Sequence, residues 1–123
     1  MSHTLLLVDD EDDIREVAQL SLEMTAGWEV HTASSGAQAL AAARALKPEA
    51  ILMDVMMPEM DGPTTVRHLK ADPETAGIPV ILLTAKVQAS DRVAFEGLGV
   101  AGVLAKPFDP MALAGEVAAV LGW

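Results

Sequence analysis

Ala50-Ile-Leu-Met-Asp54-Val-Met-Met-Pro58-Glu-Met-Asp-Gly62 sets the reading of this chain: a short apolar run ends abruptly in Asp54 and breaks into a loop marked by proline and glycine. An ionised carboxylate at the end of a buried run is costly unless it changes protonation state, finds a partner or meets a metal. The flanking sequence therefore has to supply the partner.

Upstream, Thr4 to Val8 is a short apolar run stopped by Asp9-Asp10-Glu11-Asp12-Asp13, after which Ile14, Val17, Leu20 and Met24 recur at helical spacing. Gly27 closes that helix, and Trp28 to Ala33 reads as a second strand with β-branched Val30 and Thr32. Ser34 or Ser35 caps an Ala-rich helix that Pro48 forces to end by Lys47. Ala50 to Met53 is the third strand. Downstream, Pro63 opens a helix that Asp72-Pro73 stops, and Val80 to Leu83 is a continuous apolar run ending at Thr84, as in a strand covered on both faces. A helix from about Ser90 to Leu98, a strand from Gly102 to Ala105 and a last helix follow. In the last helix Asp109 is the expected cap, Pro110 the first residue, and Leu113, Val117, Val120 and Leu121 the apolar stripe.

Strands alternating with helices predict parallel pairing by right-handed crossovers, hence an α/β fold: a doubly wound, five-stranded parallel sheet with five helices. Ligands of such sheets sit beyond the carboxyl ends of the strands. Those ends carry Asp9 and Asp10, Asp54, Thr84 and Lys106, so these residues are expected to converge on one crevice.

Composition narrows the function. The chain has 123 residues, 51% of them hydrophobic and 21% charged, which fits one globular domain with a core of Ala, Val, Leu, Ile and Met. The formal net charge of -10 repels phosphate backbones and anionic lipid, so neither direct nucleic-acid binding nor membrane association is expected. Absence of cysteine removes disulfides, thiol chemistry and zinc–thiolate sites. With no signal peptide or membrane-spanning run, a cytoplasmic protein is the expectation. The sequence ends just after its fifth helix, so the whole chain, 1–123, reads as one domain with no output domain.

Three carboxylates in one crevice repel one another, each close pair by about 4 kcal/mol at an effective dielectric near 20. Hard oxygen ligands with room for water suit Mg²⁺. Lys106 adds a mobile positive charge and Thr84 a hydroxyl donor. A carboxylate in that company is a plausible nucleophile toward phosphorus: Asp54 would attack, Asp10 would hold the metal directly and Asp9 through water, and Lys106 and Thr84 would receive phosphoryl oxygens. Taken singly, Asp54 reads better as a solvated strand-end carboxylate, and Lys106 reads equally as a surface lysine and Thr84 as a hydroxyl bonded to backbone; the companions together reverse this. Glu11 to Asp13 read better as a solvated loop beside a helix start, and Met53, Met56, Met57 and Met60 as flexible packing. Gly97-Leu-Gly99-Val-Ala-Gly102 matches the dinucleotide fingerprint in letters, but it follows a helix and leads into a strand, the reverse of what that motif needs. His3, His31 and His68 share no metal-ligand spacing and read as solvated or packed.

Four motifs in this order and spacing are highly specific: Leu-Leu-Val-Asp9-Asp10-Glu, Lys47-Pro-Glu-Ala-Ile-Leu-Met-Asp54 through Gly62, Pro-Val-Ile-Leu-Leu-Thr84-Ala85, and Gly102-Val-Leu-Ala-Lys106-Pro107-Phe108. By these the chain resembles, over essentially its whole length, the receiver domains of two-component response regulators, typified by the chemotaxis response regulator. The resemblance implies a flavodoxin-like sheet of order 2-1-3-4-5. It implies that Asp54 accepts a phosphoryl group from a phosphohistidine on a sensor histidine kinase or a phosphotransfer protein, and that the domain catalyses this transfer and the later hydrolysis. It also implies that the Met56 carbonyl completes the Mg²⁺ site, that the Ala85 amide touches phosphate and that the Lys106-Pro107 bond is cis. A domain of this kind switches contacts with a downstream protein target and is not a turnover enzyme. Two other readings stand beside it: a Mg²⁺-dependent phosphatase working through an aspartyl intermediate, and a degenerate receiver that binds partners without phosphorylation. Lys86 falls where family members vary in phosphate lifetime. Three residues before the lysine, where the family carries an aromatic side chain that swings inward on phosphorylation, this chain has Val103, which predicts a smaller conformational shift.

Overall fold

Alternation of strand and helix runs the length of the chain in the computed structural model, which describes residues 3–85 and 89–123. In order the elements are β1 (Thr4–Val8), α1 (Asp12–Ala26), β2 (Glu29–Ala33), α2 (Gly36–Leu46), β3 (Ala50–Asp54), α3 (Gly62–Ala71), β4 (Val80–Thr84), α4 (Ala89–Glu96), β5 (Gly102–Ala105) and α5 (Leu113–Leu121). The strands form one sheet in the order β2-β1-β3-β4-β5, and every neighbouring pair is parallel. The sheet is the expected doubly wound one.

Local chemistry explains the boundaries. Ser35 sits in extended backbone and its side chain accepts from the Gln38 N–H, and Asp61 does the same for Thr64 one residue before Gly62-Pro63 opens α3. Gly27 ends α1 in the left-handed conformation at φ 69°, where the lack of a Cβ removes the steric cost. Lys47 ends α2 at φ 46° ahead of Pro48, and Asp72 ends α3 ahead of Pro73.

Two expectations need correction. Asp109 and Pro110 do not start the last helix. They form a preceding turn, in which the Asp109 carboxylate accepts from the Met111 N–H and the Asp109 carbonyl from the Ala112 and Leu113 N–H groups, so α5 begins at Leu113. The other concerns α1, whose spaced residues Val17, Leu20 and Met24 are exposed, while Ala18, Ser21 and Leu22 are buried. The polar members of the buried face are satisfied: the Ser21 hydroxyl donates to the Pro110 carbonyl and the Gln19 side chain to the Val30 carbonyl.

The core has two layers, one on each side of the sheet. Leu5, Leu7, Leu52, Ile81 and Leu83 pack with Leu22, Leu113 and Val117 of α1 and α5. Leu6, Val8, Ile51, Met53 and Leu82 pack with Ala39, Ala43, Val66 and Leu69 of α2 and α3. Both faces of β1, β3 and β4 are therefore dry, which is why those strands read as unbroken apolar runs. At the amino-terminal edge His3 stacks on Trp123 at 3.8 Å and bonds Glu49 at 3.0 Å, so this histidine is packed. No helix among the described residues is long and apolar enough to cross a membrane.

Candidate functional site

Parallel strands put their carboxyl ends on one edge, and the polar residues found there gather into one cluster. Asp9 follows β1, Asp54 and Thr84 are the last residues of β3 and β4, and Lys106 follows β5. Lys106 Nζ lies 3.0 Å from Asp9 Oδ2 and 3.2 Å from Asp54 Oδ1, joining residues 97 positions apart in sequence. Asp9, Asp54 and Thr84 are 1%, 3% and 2% exposed. The Lys106-Pro107 bond is cis.

The turn after β1 faces the same cleft. Asp9 Oδ1 accepts from the Glu11 N–H at 2.9 Å. Carboxylate oxygens of Asp9, Glu11 and Asp54 all lie within 4.8 Å of one another. Asp10 is half-buried, and its Oδ1 is buried with no hydrogen-bond partner among the described residues. A buried carboxylate oxygen with no donor is unusual enough to point to a ligand. An all-oxygen donor set of this kind, with a hydroxyl and an ammonium beside it, fits a hard divalent cation such as Mg²⁺ and offers nothing to a metal that prefers sulfur or nitrogen.

Electrostatics set the protonation of the pair. Burial first, and then repulsion by Asp9, push the Asp54 carboxyl above its usual range, against the opposing pull of Lys106 and the Met56 N–H. Burial works against the charge on Lys106, but its bonds to Asp9 and Asp54 outweigh burial and hold the ammonium above its ordinary range. Among the described residues one ammonium, that of Lys106, thus bridges two buried carboxylates.

Beside the cluster lies a groove of about 400 Å³ lined by Ile14, Val17, Ala85, Pro107, Phe108 and Pro110 among others. Ala85 is exposed at its edge, immediately after Thr84. Met56 is 65% exposed, with its N–H 3.4 Å from Asp54 Oδ1. Val103 is half-buried in β5, paired with Leu82 of β4. Lys86 lies outside the described residues. Residues 97–101 form the turn between α4 and β5, with Gly99 at φ 81°, and Gly102 is the first residue of β5.

Sequence reasoning passed over two participants. Glu11, read as part of a solvated loop, is exposed yet turns its carboxylate toward Asp9 and Asp54. Its position next to Asp10 was the available signal. The other is Gly62: a Cβ there would stand 2.6 Å from the Asp54 carbonyl oxygen and 2.9 Å from Val55 Cα, so only glycine lets α3 approach the strand end that carries Asp54.

A 2-1-3-4-5 parallel sheet that gathers acids round Lys106 at its strand ends has this cluster where doubly wound α/β sheets bind their ligands. Residues 5–118 match the family model described as the response regulator receiver domain, and the chain belongs to that family, the receiver domains of two-component signalling. It is similar to the solved chemotaxis response regulator CheY4 of Vibrio cholerae, at 32% identity and a TM-score of 0.91 over 98% of this chain and 99% of that one. It is also similar to the receiver domain of a sensor histidine kinase from Pseudomonas aeruginosa, at 30% identity and a TM-score of 0.87 over 100% of both chains, whose structure has a magnesium ion coordinated in the active-site cleft. Among curated proteins it is 38% identical over 117 residues to the DNA-binding dual master transcriptional regulator RpaA of Synechocystis, covering 95% of this chain and 48% of that protein. The chain spans about half the length of the first curated relatives it matches. Receiver domains are signalling modules that interact with histidine kinases and downstream targets.

Proposed function

We propose that this domain is a phosphoacceptor switch in which Asp54 takes a phosphoryl group from a phosphohistidine on a sensor kinase or phosphotransfer protein. The observation that carries the reading is the ammonium of Lys106 held between buried Asp9 and buried Asp54 at the carboxyl edge of the sheet. An Asp54 oxygen attacks phosphorus, the phosphorus–nitrogen bond breaks, and its electron pair stays on the imidazole, which takes a proton from water. Hydrolysis reverses the gain: water attacks phosphorus, the acyl phosphate bond breaks, and inorganic phosphate leaves a free Asp54 carboxylate.

Asp10, Asp54 and the Met56 carbonyl would hold Mg²⁺ directly and Asp9 through water, with Glu11 close enough to share that outer position. Bound there, the ion supplies neutralisation of phosphoryl oxygen charge and in-line orientation. Lys106 moves from its two carboxylates toward the added anion, since a phosphoryl group offers more negative charge than Asp54 did. The Thr84 hydroxyl and the Ala85 N–H donate to phosphoryl oxygens. Val103 has no ring to swing, so the change spreads through backbone and helix packing with a smaller population shift than in relatives that carry an aromatic side chain.

The net charge of -10 sets these residues against nucleic acid, and the domain passes its signal through contacts with protein, in the cytoplasm. Exposed Val17, Leu20 and Met24 on α1, beside the apolar groove, offer area for a protein donor. The test is incubation with Mg²⁺ and acetyl phosphate followed by intact-mass measurement. A Mg²⁺-dependent gain of one phosphoryl group that vanishes in Asp54→Ala supports the switch. Continuous turnover of phosphate esters would make the domain a phosphatase, and no adduct would make it a degenerate receiver.

A further inference from the structure

Arg15, on the first turn of α1, is turned back toward the cluster. Its Nη1 donates to the main-chain carbonyl of Asp9 at 2.8 Å, and its Nη2 donates to Asp12 Oδ1 at 2.5 Å. The side chain is 18% exposed, well covered for an arginine. We infer that Arg15 is a positioning residue for the cation site, acting through the Asp9-Asp10 peptide; this inference rests on the reading of the cleft as a Mg²⁺ site.

The Asp9 carbonyl belongs to the same rigid peptide unit as the Asp10 nitrogen, so a bond to that oxygen fixes the plane from which the Asp10 side chain departs. The Asp9 N–H is held separately by the Ala33 carbonyl at 3.2 Å, and the Asp9 carboxylate by Lys106 and the Glu11 N–H. Arg15 completes the set by donating to the Asp9 carbonyl. Asp10 Oδ1 is buried and has no donor among the described residues, so the peptide plane from which its side chain departs carries its orientation. A planar guanidinium can grip a carbonyl and a carboxylate together from fixed directions, and a lysine ammonium at the end of a flexible stem cannot hold that geometry.

Charge and position make opposite forecasts for Arg15. As a bare positive charge near a cation site, Arg15 opposes Mg²⁺, and its removal would tighten binding. As a positioning residue it favours Mg²⁺, and its removal weakens binding. Loss of a partner that orients metal ligands typically lowers metal affinity about 10-fold to 100-fold.

The test is calorimetric titration of Mg²⁺ into wild type, Arg15→Met and Arg15→Lys, with the amide NMR signals of Asp9 and Asp10 recorded before metal is added. Arg15→Met should weaken Mg²⁺ binding by about 10-fold, and Arg15→Lys, which keeps the charge, should also bind less tightly than wild type. Both variants should shift the Asp9 and Asp10 amide signals in the metal-free protein while the Trp28 and Trp123 indole signals at the opposite edge stay in place. Equal or tighter binding by Arg15→Met, with wild type binding normally, overturns the positioning role and leaves the Mg²⁺ site standing. Absence of Mg²⁺ binding by wild type overturns both.

Discussion

Replacing Asp54 by Asn in the metal-free protein should make the domain more stable. Oxygens of Asp9, Glu11 and Asp54 lie within 4.8 Å of one another, and Asp54 Oδ1 is 3.2 Å from Lys106 Nζ. With an effective dielectric near 20, each repulsion on Asp54 costs about 3.5 kcal/mol and the Lys106 contact returns about 5 kcal/mol. Glu11 is exposed, so solvent screens its share, but the burial of Asp54 acts in the same direction as the repulsions. The charge on Asp54 is therefore a net burden of about 1–2 kcal/mol at neutral pH, in keeping with its raised titration range. Lys106 keeps Asp9 when Asp54 is neutralised, so the substitution orphans no ion.

At roughly 4 °C per kcal/mol for a domain of this size, Asp54→Asn should raise Tm in EDTA by roughly 4–8 °C. The sign of the pH dependence follows from the raised carboxyl. The folded state binds the Asp54 proton more tightly than the unfolded state does, so wild-type stability falls as pH rises from the ordinary value of 3.8 through the raised folded value. The gap between variant and wild type should vanish at the acid end and be full above the folded value. Saturating Mg²⁺ should then stabilise wild type more than the variant, because it binds the folded site with its full complement of charge. Thermal unfolding by circular dichroism over a pH series reads all of this. An Asn variant no more stable than wild type in EDTA, or a gap that grows toward acid, would refute the reasoning.

Other parts of the site give sharper local tests. Lys106→Met removes the ammonium that bridges Asp9 and Asp54 and should cost about 3 kcal/mol in EDTA, with much of the loss restored by Mg²⁺; urea titration with and without the metal checks it. Gly62→Ala pushes a methyl group against the Asp54 carbonyl, should cost about 1–3 kcal/mol, and should slow acetyl phosphate labelling, which intact mass spectrometry follows. Ser35→Ala removes the cap on α2 and no side chain of the Asp9, Asp54 and Lys106 cluster, and should cost about 1 kcal/mol in urea titration with labelling unchanged.

Much of this architecture is legible in the sequence because several local signals agree. The runs in β1, β3 and β4 are apolar without alternation because both faces of the sheet are covered, and that alone points to a parallel sheet with strand-end residues on one edge. Ser35, Pro63, Gly27 and Pro48 then mark where helices start and stop. What escapes a sequence reading depends on contacts across the fold. The buried face of α1 includes Ser21, a polar residue that its bond to Pro110 makes tolerable, while Val17, Leu20 and Met24 keep helical spacing on an exposed face. Asp109-Pro110 has the composition of a helix start, but Ser21 engages the Pro110 carbonyl and the helix begins at Leu113. Glu11 and Arg15 reach the cleft only because the turn after β1 folds back toward β3.

Reduction of the acetyl phosphate adduct with borohydride, followed by peptide mapping, locates the phosphoryl group on the chain. An acyl phosphate on a carboxylate is reduced to an alcohol, so a phosphoaspartate is recorded as homoserine at the modified position. Homoserine is expected at position 54, formed when Mg²⁺ is present during phosphorylation. Homoserine at position 9 or 10, or none at any aspartate after the mass gain, would contradict it.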